Sequence, residues 1–248
     1  MSEFNELERL ASPPPRRQLN LFYVIDTSGS MAGEKIASVN QVMRPVIDII
    51  REVDENNKDN AKIVVSCLEF STGCRWSNPI PVDCGSFVWQ DLQAGGLTDL
   101  GAASKELCSK MRRSEYLQSE TGHYAPVVII LSDGEPTDDY MAGIKELKQN
   151  KWFKAAIKVA IAIGNDANVD VLAEFVGNKE TVITVHDVES LKTIIQVVTR
   201  GVSQIGSQST ENTKDKEQLV TEMVNDVVAE TDGAENISNP APAPDDWD

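Results

Sequence analysis

Residues 19–26, Leu-Asn-Leu-Phe-Tyr-Val-Ile-Asp, constrain the fold more than any other stretch of the chain. The run is almost continuously apolar, with aromatic and β-branched side chains. A strand of that kind needs cover on both faces, as in a parallel sheet. It stops at Asp26, and from about Glu34 to Asp54 the period changes. There Ile36, Val39, Val42, Met43, Val46, Ile47 and Ile50 recur at helical spacing, with Pro45 placed to kink the helix.

The same alternation continues. Apolar runs at 61–70, 126–133, 155–164 and 181–187 read as further strands, with helical patterns between them. The exception is 71–89, where turn residues separate short apolar pieces and no helix fits; this reads as an antiparallel edge strand or hairpin. Together these predict a doubly wound α/β fold, a mostly parallel six-stranded sheet with one antiparallel edge strand. Such sheets bind ligands beyond the carboxyl ends of their strands.

Three polar loops fall at that edge. Asp26-Thr27-Ser28-Gly29-Ser30 follows the first strand and crowds a carboxylate and hydroxyls into one strand-to-helix turn, with Gly29 and Gly33 allowing a tight backbone. Gly95-Gly96-Leu97-Thr98-Asp99 offers a Thr hydroxyl just before a helix. Ser132-Asp133-Gly134-Glu135-Pro136-Thr137-Asp138 ends the 126–133 strand with a second carboxylate. Asp26 and Asp133 with Ser28, Ser30 and Thr98 make a hard oxygen-donor set without thiol or imidazole, suited to Mg²⁺ or Mn²⁺ rather than Zn²⁺. Mg²⁺ keeps some of its waters, so few direct protein bonds leave a position open for a carboxylate from elsewhere.

These three segments, in this order, resemble the metal-ion-dependent adhesion site of von Willebrand A domains, and the resemblance covers roughly residues 19–204. It implies a Rossmann-like fold and a non-enzymatic protein-interaction module. In such a site Ser28, Ser30 and Thr98 would give hydroxyls to the metal, Asp26 and Asp133 would act directly or through water, and a partner's Glu or Asp would complete the shell. Among branches of the family, the chain looks most like cytosolic bacterial proteins of the tellurium-resistance and stress type. That likeness implies a phosphosignalling setting and a kinase or phosphatase as partner.

Composition narrows the alternatives. A formal net charge of −16 disfavours nucleic acid. No segment has the roughly 18 uninterrupted apolar residues of a membrane helix, and the N-terminus lacks a signal-peptide core, so a cytoplasmic protein is expected. Cys67, Cys74, Cys84 and Cys108 form no CxxC pair, with only His123 and His186 to join them, which favours reduced thiols over disulfides or zinc.

The rival enzymatic reading is a haloacid-dehalogenase-like Mg²⁺-dependent phosphotransferase with Asp26 as nucleophile. Those enzymes use a second Asp two residues on as general acid, and here that residue is Ser28, whose hydroxyl cannot donate a proton to a leaving alkoxide near neutral pH.

Several residues have plainer readings. Thr98 is expected to cap the helix that follows, Asp138 and Asp139 to start another, and Trp76 and Trp89 to pack. His123 reads as a loop residue and His186 as a strand-end residue. The flanks differ from the body. Residues 1–18 carry Pro13-Pro14-Pro15 and read as a leader. Residues 205–248 read as an acidic flexible tail with a short amphipathic helix at 217–230, whose apolar stripe begins at Leu219 and Val220. A scaffold acting through that tail, or through Asp245-Asp246-Trp247-Asp248, is the third functional reading.

Overall fold

The structure is a computed structural model that describes residues 16–58, 61–206, 218–223, 225–226 and 237–238. The leader up to residue 15, most of the tail, its stripe residues Val224, Val227 and Val228, and residues 245–248 lie outside the described residues.

The chain runs through β1 (Arg17–Asp26), a 3₁₀ turn (Gly29–Met31), α1 (Glu34–Asn56), β2 (Ala61–Ser71), β3 (Gly73–Trp76) and β4 (Val82–Asp83). It continues through α2 (Leu100–Lys110), β5 (Val127–Ser132), α3 (Tyr140–Leu147), α4 (Lys151–Ala155), β6 (Ile157–Ile163) and α5 (Val169–Val176). A second 3₁₀ turn (Lys179–Thr181), β7 (Val182–Val185), α6 (Val188–Gly206) and β8 (Ile237–Ser238) complete it.

The strands form one sheet in the order β3-β2-β1-β5-β6-β7-β8, with β4 also paired to β2. β2, β1, β5, β6 and β7 are parallel, and β3 pairs antiparallel with β2. This is the expected sheet with its antiparallel edge. Two further antiparallel pieces, β4 beside β2 and β8 beside β7, have two residues each. Pieces so short carry no readable period.

The nearly continuous apolarity of β1 from Leu19 onward has the expected cause. Leu19, Leu21, Tyr23 and Ile25 face the core beneath α1 and α6, while Phe22 and Val24 face the one beneath α2, α3, α4 and α5. Each fully buried aliphatic chain there contributes about 1.5–3 kcal/mol. Asn20, at the start of β1, is 1% exposed yet satisfied: its amide donates to the Tyr116 carbonyl at 3.0 Å, and its Oδ1 lies 3.1 Å from His123 Nδ1. His123, read as a loop residue, is therefore buried and supports the sheet's lower end. α1 continues through Pro45, with Met43, Val46 and Ile47 buried on one face.

α6 is tied to the sheet by a buried Tyr23–Thr199 hydroxyl pair at 2.9 Å and to α1 by Arg200 on Glu52 at 2.8 Å. Residues 218–223 are helical. Within them Val220 is 1% exposed and joins the core under α1 and α6, and Met223 packs so closely on Gly201 that a side chain there would collide with it.

Among the described residues no helix is long and apolar enough to cross a membrane, and the four cysteines are unpaired. Burial pushes the thiols of Cys67 and Cys84 up to about 12 and that of Cys74 up to about 11. Because the thiolate is the reactive form, native protein at pH 8 is expected to resist Ellman's reagent. All four thiols should react in urea; rapid labelling of native protein would contradict this picture.

Candidate metal centre

β1 lies between β2 and β5, so the sheet grows in opposite directions from it, and the crevice at its carboxyl end is the topological switch point. Ile25 sits opposite Leu131 in the β1–β5 ladder, which brings Asp26 beside Ser132 and Asp133 as both strands end. The Asp26 carboxylate is then fixed from two sides. Ser132 Oγ donates to Oδ2 at 2.6 Å, and the Ser28 backbone N–H donates to Oδ1 at 2.8 Å. Ser132 Oγ also accepts from the Gly134 N–H at 2.8 Å. Ser28 Oγ and Ser30 Oγ approach to 3.0 Å, so the two hydroxyls share one side of the turn.

The Gly-rich loop is joined to this turn through the backbone. The Gly95 N–H donates to the Thr27 carbonyl at 2.8 Å, and the Gly29 N–H to the Gly96 carbonyl at 3.1 Å. Gly96 has φ +86°, and a Cβ there would lie 2.6 Å from Thr72 Oγ1, so this position needs glycine on both counts. The third loop closes the ring. The Thr98 N–H donates to Thr137 Oγ1 and the Thr137 N–H to the Thr98 carbonyl, both at 2.9 Å. Three loops far apart in sequence are thereby locked around one point.

That point is buried and negative. Asp26 is 0% exposed, Ser28 and Asp133 1%, and Thr98 5%, while Ser30 is exposed at the rim. Burial lifts the Asp26 carboxyl above the ordinary carboxylate range. The hydrogen bonds from Ser132 and Ser28 oppose that lift, and the Asp133 charge adds to it. Asp133 Oδ2 meets Lys35 Nζ at 3.1 Å, but its Oδ1 is buried without a partner. A buried carboxylate oxygen left so is costly unless a cation or donor reaches it. Among the described residues no three His, Cys, Asp or Glu side chains gather as a metal site. A cation here would rest on two carboxylates and neighbouring hydroxyls, and that donor set fits a hard divalent ion.

One expectation about capping is corrected. Thr98 does not cap α2; Asp99 holds the N-cap position, yet its carboxylate accepts from the Gly73 N–H at 2.7 Å instead of capping. The cap comes from the third loop: Asp138 accepts from the Gly101 and Ala102 N–H groups, each at 2.9 Å. Asp139 caps its own helix α3 through the Ala142 N–H. Asp138→Ala is expected to cost about 1–2 kcal/mol in urea unfolding, as loss of a helix cap does. An unchanged midpoint would remove Asp138 from this role.

Sequence reasoning missed four participants. Ser132, Thr137, Lys35 and Asp166 each act through a partner remote in sequence, Lys35 reaching both Asp133 and Asp166. Ser132 and Thr137 lie within the Ser132–Asp138 loop, whereas Lys35 at the head of α1 and Asp166 after β6 carry no spacing that ties them to it. His186 follows β7 directly, as read. Trp76 packs edge-on to Tyr116 at 4.7 Å, and Trp89 is half-buried.

A sequence model described as the von Willebrand factor type A domain matches residues 20–197. Inter-alpha-trypsin inhibitor heavy chain H2 of Sus scrofa is 25% identical over 164 residues, covering 62% of this chain and 16% of that protein. The chain thus spans a small part of that relative's length. Among solved structures, a von Willebrand factor type A protein from Catenulispora acidiphila superposes with TM-score 0.55 at 16% identity, over 75% of this chain and 43% of that one. Proximal thread matrix protein 1 from the mussel byssus, with a zinc-occupied MIDAS motif, gives 0.56 at 17% identity over 76% and 48%. The ArnB paralog VWA2 from Sulfolobus acidocaldarius gives 0.53 at 20% identity over 73% and 44%. At these identities the structural likeness speaks for the fold.

Proposed function

The chain belongs to the von Willebrand factor type A domain family, and from that premise we propose that it is a non-enzymatic binding module that holds one Mg²⁺, or Mn²⁺ in its place. Domains of this family are typically protein-interaction or adhesion modules. In the proposal Ser28, Ser30 and Thr98 supply hydroxyls, and Asp26 and Asp133 bind directly or through water and orient those hydroxyls. The observation that carries it is the pair of buried carboxylates, Asp26 and Asp133, the latter with an unpartnered oxygen, inside a ring of hydrogen-bonded loops. When bound, the ion supplies an open coordination position, which a Glu or Asp of a partner protein fills. The chain's own part is to fix the ligands and to present the rim, where Ser30, Gly95, Gly96 and Leu97 are exposed. The mussel protein's zinc-occupied motif supports a divalent metal at this place in the fold.

The phosphotransferase reading loses further ground. Ser28, which stands where a general acid is needed, is 1% exposed and pairs with Ser30. The tail-scaffold reading is weakened because Val220, near the head of the apolar stripe, packs inside the core. The narrower setting is a cytoplasmic stress or phosphosignalling protein of the tellurium-resistance type, with a kinase or phosphatase as partner; the motif resemblance alone supports it.

The test is capture of partners from native lysate, comparing Mg²⁺ with EDTA and wild type with Ser28→Ala/Asp133→Ala. The expected result is a protein retained only by wild type in Mg²⁺. The same proteins under all four conditions would transfer binding to another surface.

A further inference from the structure

The proposed centre leaves an ammonium group at its edge unused. Lys35, in the first turn of α1, places Nζ 3.1 Å from Asp133 Oδ2 and 3.0 Å from Asp166 Oδ1. The two partners are unequal. The Asp133 side chain is 1% exposed and needs a counter-ion, whereas that of Asp166 is 74% exposed and is solvated without one. The loop after β6 is shaped around this pair. Gly164 has φ +99°, and a Cβ there would lie 2.9 Å from Lys35 Cε and 2.7 Å from Asp166 Oδ1. Beside them a cavity of about 290 Å³, lined by Lys35, Gly164, Asp166, His186 and Asp187 among others, gives the lysine room to move away from Asp133.

We propose that Lys35 is a tethered cation that competes with the metal, neutralising Asp133 when the centre holds no metal and withdrawing onto Asp166 when a divalent ion arrives. This rests on the metal-binding reading above and adds its regulation. Two consequences follow from Coulomb's law. The fold tolerates the metal-free state, because one of its two buried carboxylates keeps a counter-ion. Metal affinity is held down, because the incoming ion meets a positive charge already on its ligand. Occupancy, and with it partner binding, then follows the free metal concentration.

The experiment is calorimetric titration of MgCl₂ and MnCl₂ into the full chain, with thermal melting in EDTA, for wild type, Lys35→Met and Asp166→Asn. Lys35→Met is expected to bind Mg²⁺ at least about tenfold more tightly and to melt lower in EDTA. Asp166→Asn, which removes the lysine's resting place, is expected to bind the metal more weakly. A lysine that only braced Asp133 would lower affinity when removed, so Lys35→Met at or below wild-type affinity overturns the proposal. Should that variant not fold, Asp166→Asn decides alone, and unchanged or tighter binding overturns it. Wild type that binds neither ion overturns the metal-centre reading and this inference together; wild-type binding that Lys35→Met leaves unchanged overturns only the inference.

Discussion

Asp26→Asn is expected to melt higher than wild type in EDTA while binding Mg²⁺ at least about a hundredfold more weakly. The substitution keeps the shape, with the amide oxygen accepting from the Ser28 N–H and the amide NH₂ turned toward Ser132 Oγ, but removes a charge that burial and Asp133 both disfavour. Relief of that buried charge should contribute about 1 kcal/mol or more to the metal-free protein. The sign with pH is fixed by linkage. The folded-state pKa of Asp26 lies above its unfolded value, so the folded protein takes up a proton that the unfolded chain does not yet hold. That contribution is fully present below the unfolded value and is lost as pH rises through the folded one. His123 acts in the opposite sense, because burial lowers its pKa and its contribution fades as pH falls below about 6.5. The difference between wild type and Asp26→Asn cancels the His123 part. Wild type should therefore gain on the variant as the solution is acidified from neutral, measured by melting across pH in EDTA. A variant that melts lower at every pH would show that the carboxylate stabilises the empty fold.

Gly143→Ala is expected to cost about 3 kcal/mol, an overpacking effect at the upper end of its usual range. Gly143 is buried in α3, and a Cβ on it would fall onto the Gly101 carbonyl oxygen at the start of α2. Gly101 is equally close to α3, its own Cβ position lying 2.6 Å from the Asp139 carbonyl oxygen. Neither backbone can retreat cheaply, because Asp138 caps α2 across the same contact and Thr137 is bonded to Thr98. The added methyl should thus lower the urea midpoint and also loosen the metal loops, weakening Mg²⁺ binding more modestly. A change within about 0.5 kcal/mol would mean that the two helices slide apart without strain.

Much of this was legible in the sequence, for reasons that differ from one part to the next. β1 could be read because its run is long and almost continuously apolar, and its side chains are buried in the cores on both faces of the sheet; α1 could be read because it is long and strongly periodic, and Val39 and Met43 lie on the face their spacing assigns. The candidate site could be picked out because Asp26, Ser28 and Asp133 stand at or just after the ends of recognisable strands, strand ends in a doubly wound sheet meet at one edge, and Thr98 lies in a Gly-rich loop just before a helix. What stayed hidden depends on contacts that sequence proximity does not report. Lys35 meets Asp133 across 98 positions, and the cap of α2 comes from Asp138 rather than from the adjacent Thr98. Ser132 was visible as a residue, but its bond to Asp26 follows only from the β1–β5 register. β8, in a stretch read as flexible tail, is too short to announce itself.

The central claim is that Asp26, Ser28, Ser30, Thr98 and Asp133 hold one divalent ion. Its most direct test is a crystal structure grown in MnCl₂, with an anomalous difference map phased without the metal. The account predicts a single strong peak enclosed by these five residues, absent from crystals of the Ser28→Ala/Asp133→Ala variant. A map with no peak there, or with its strongest peak on another part of the surface, would contradict it.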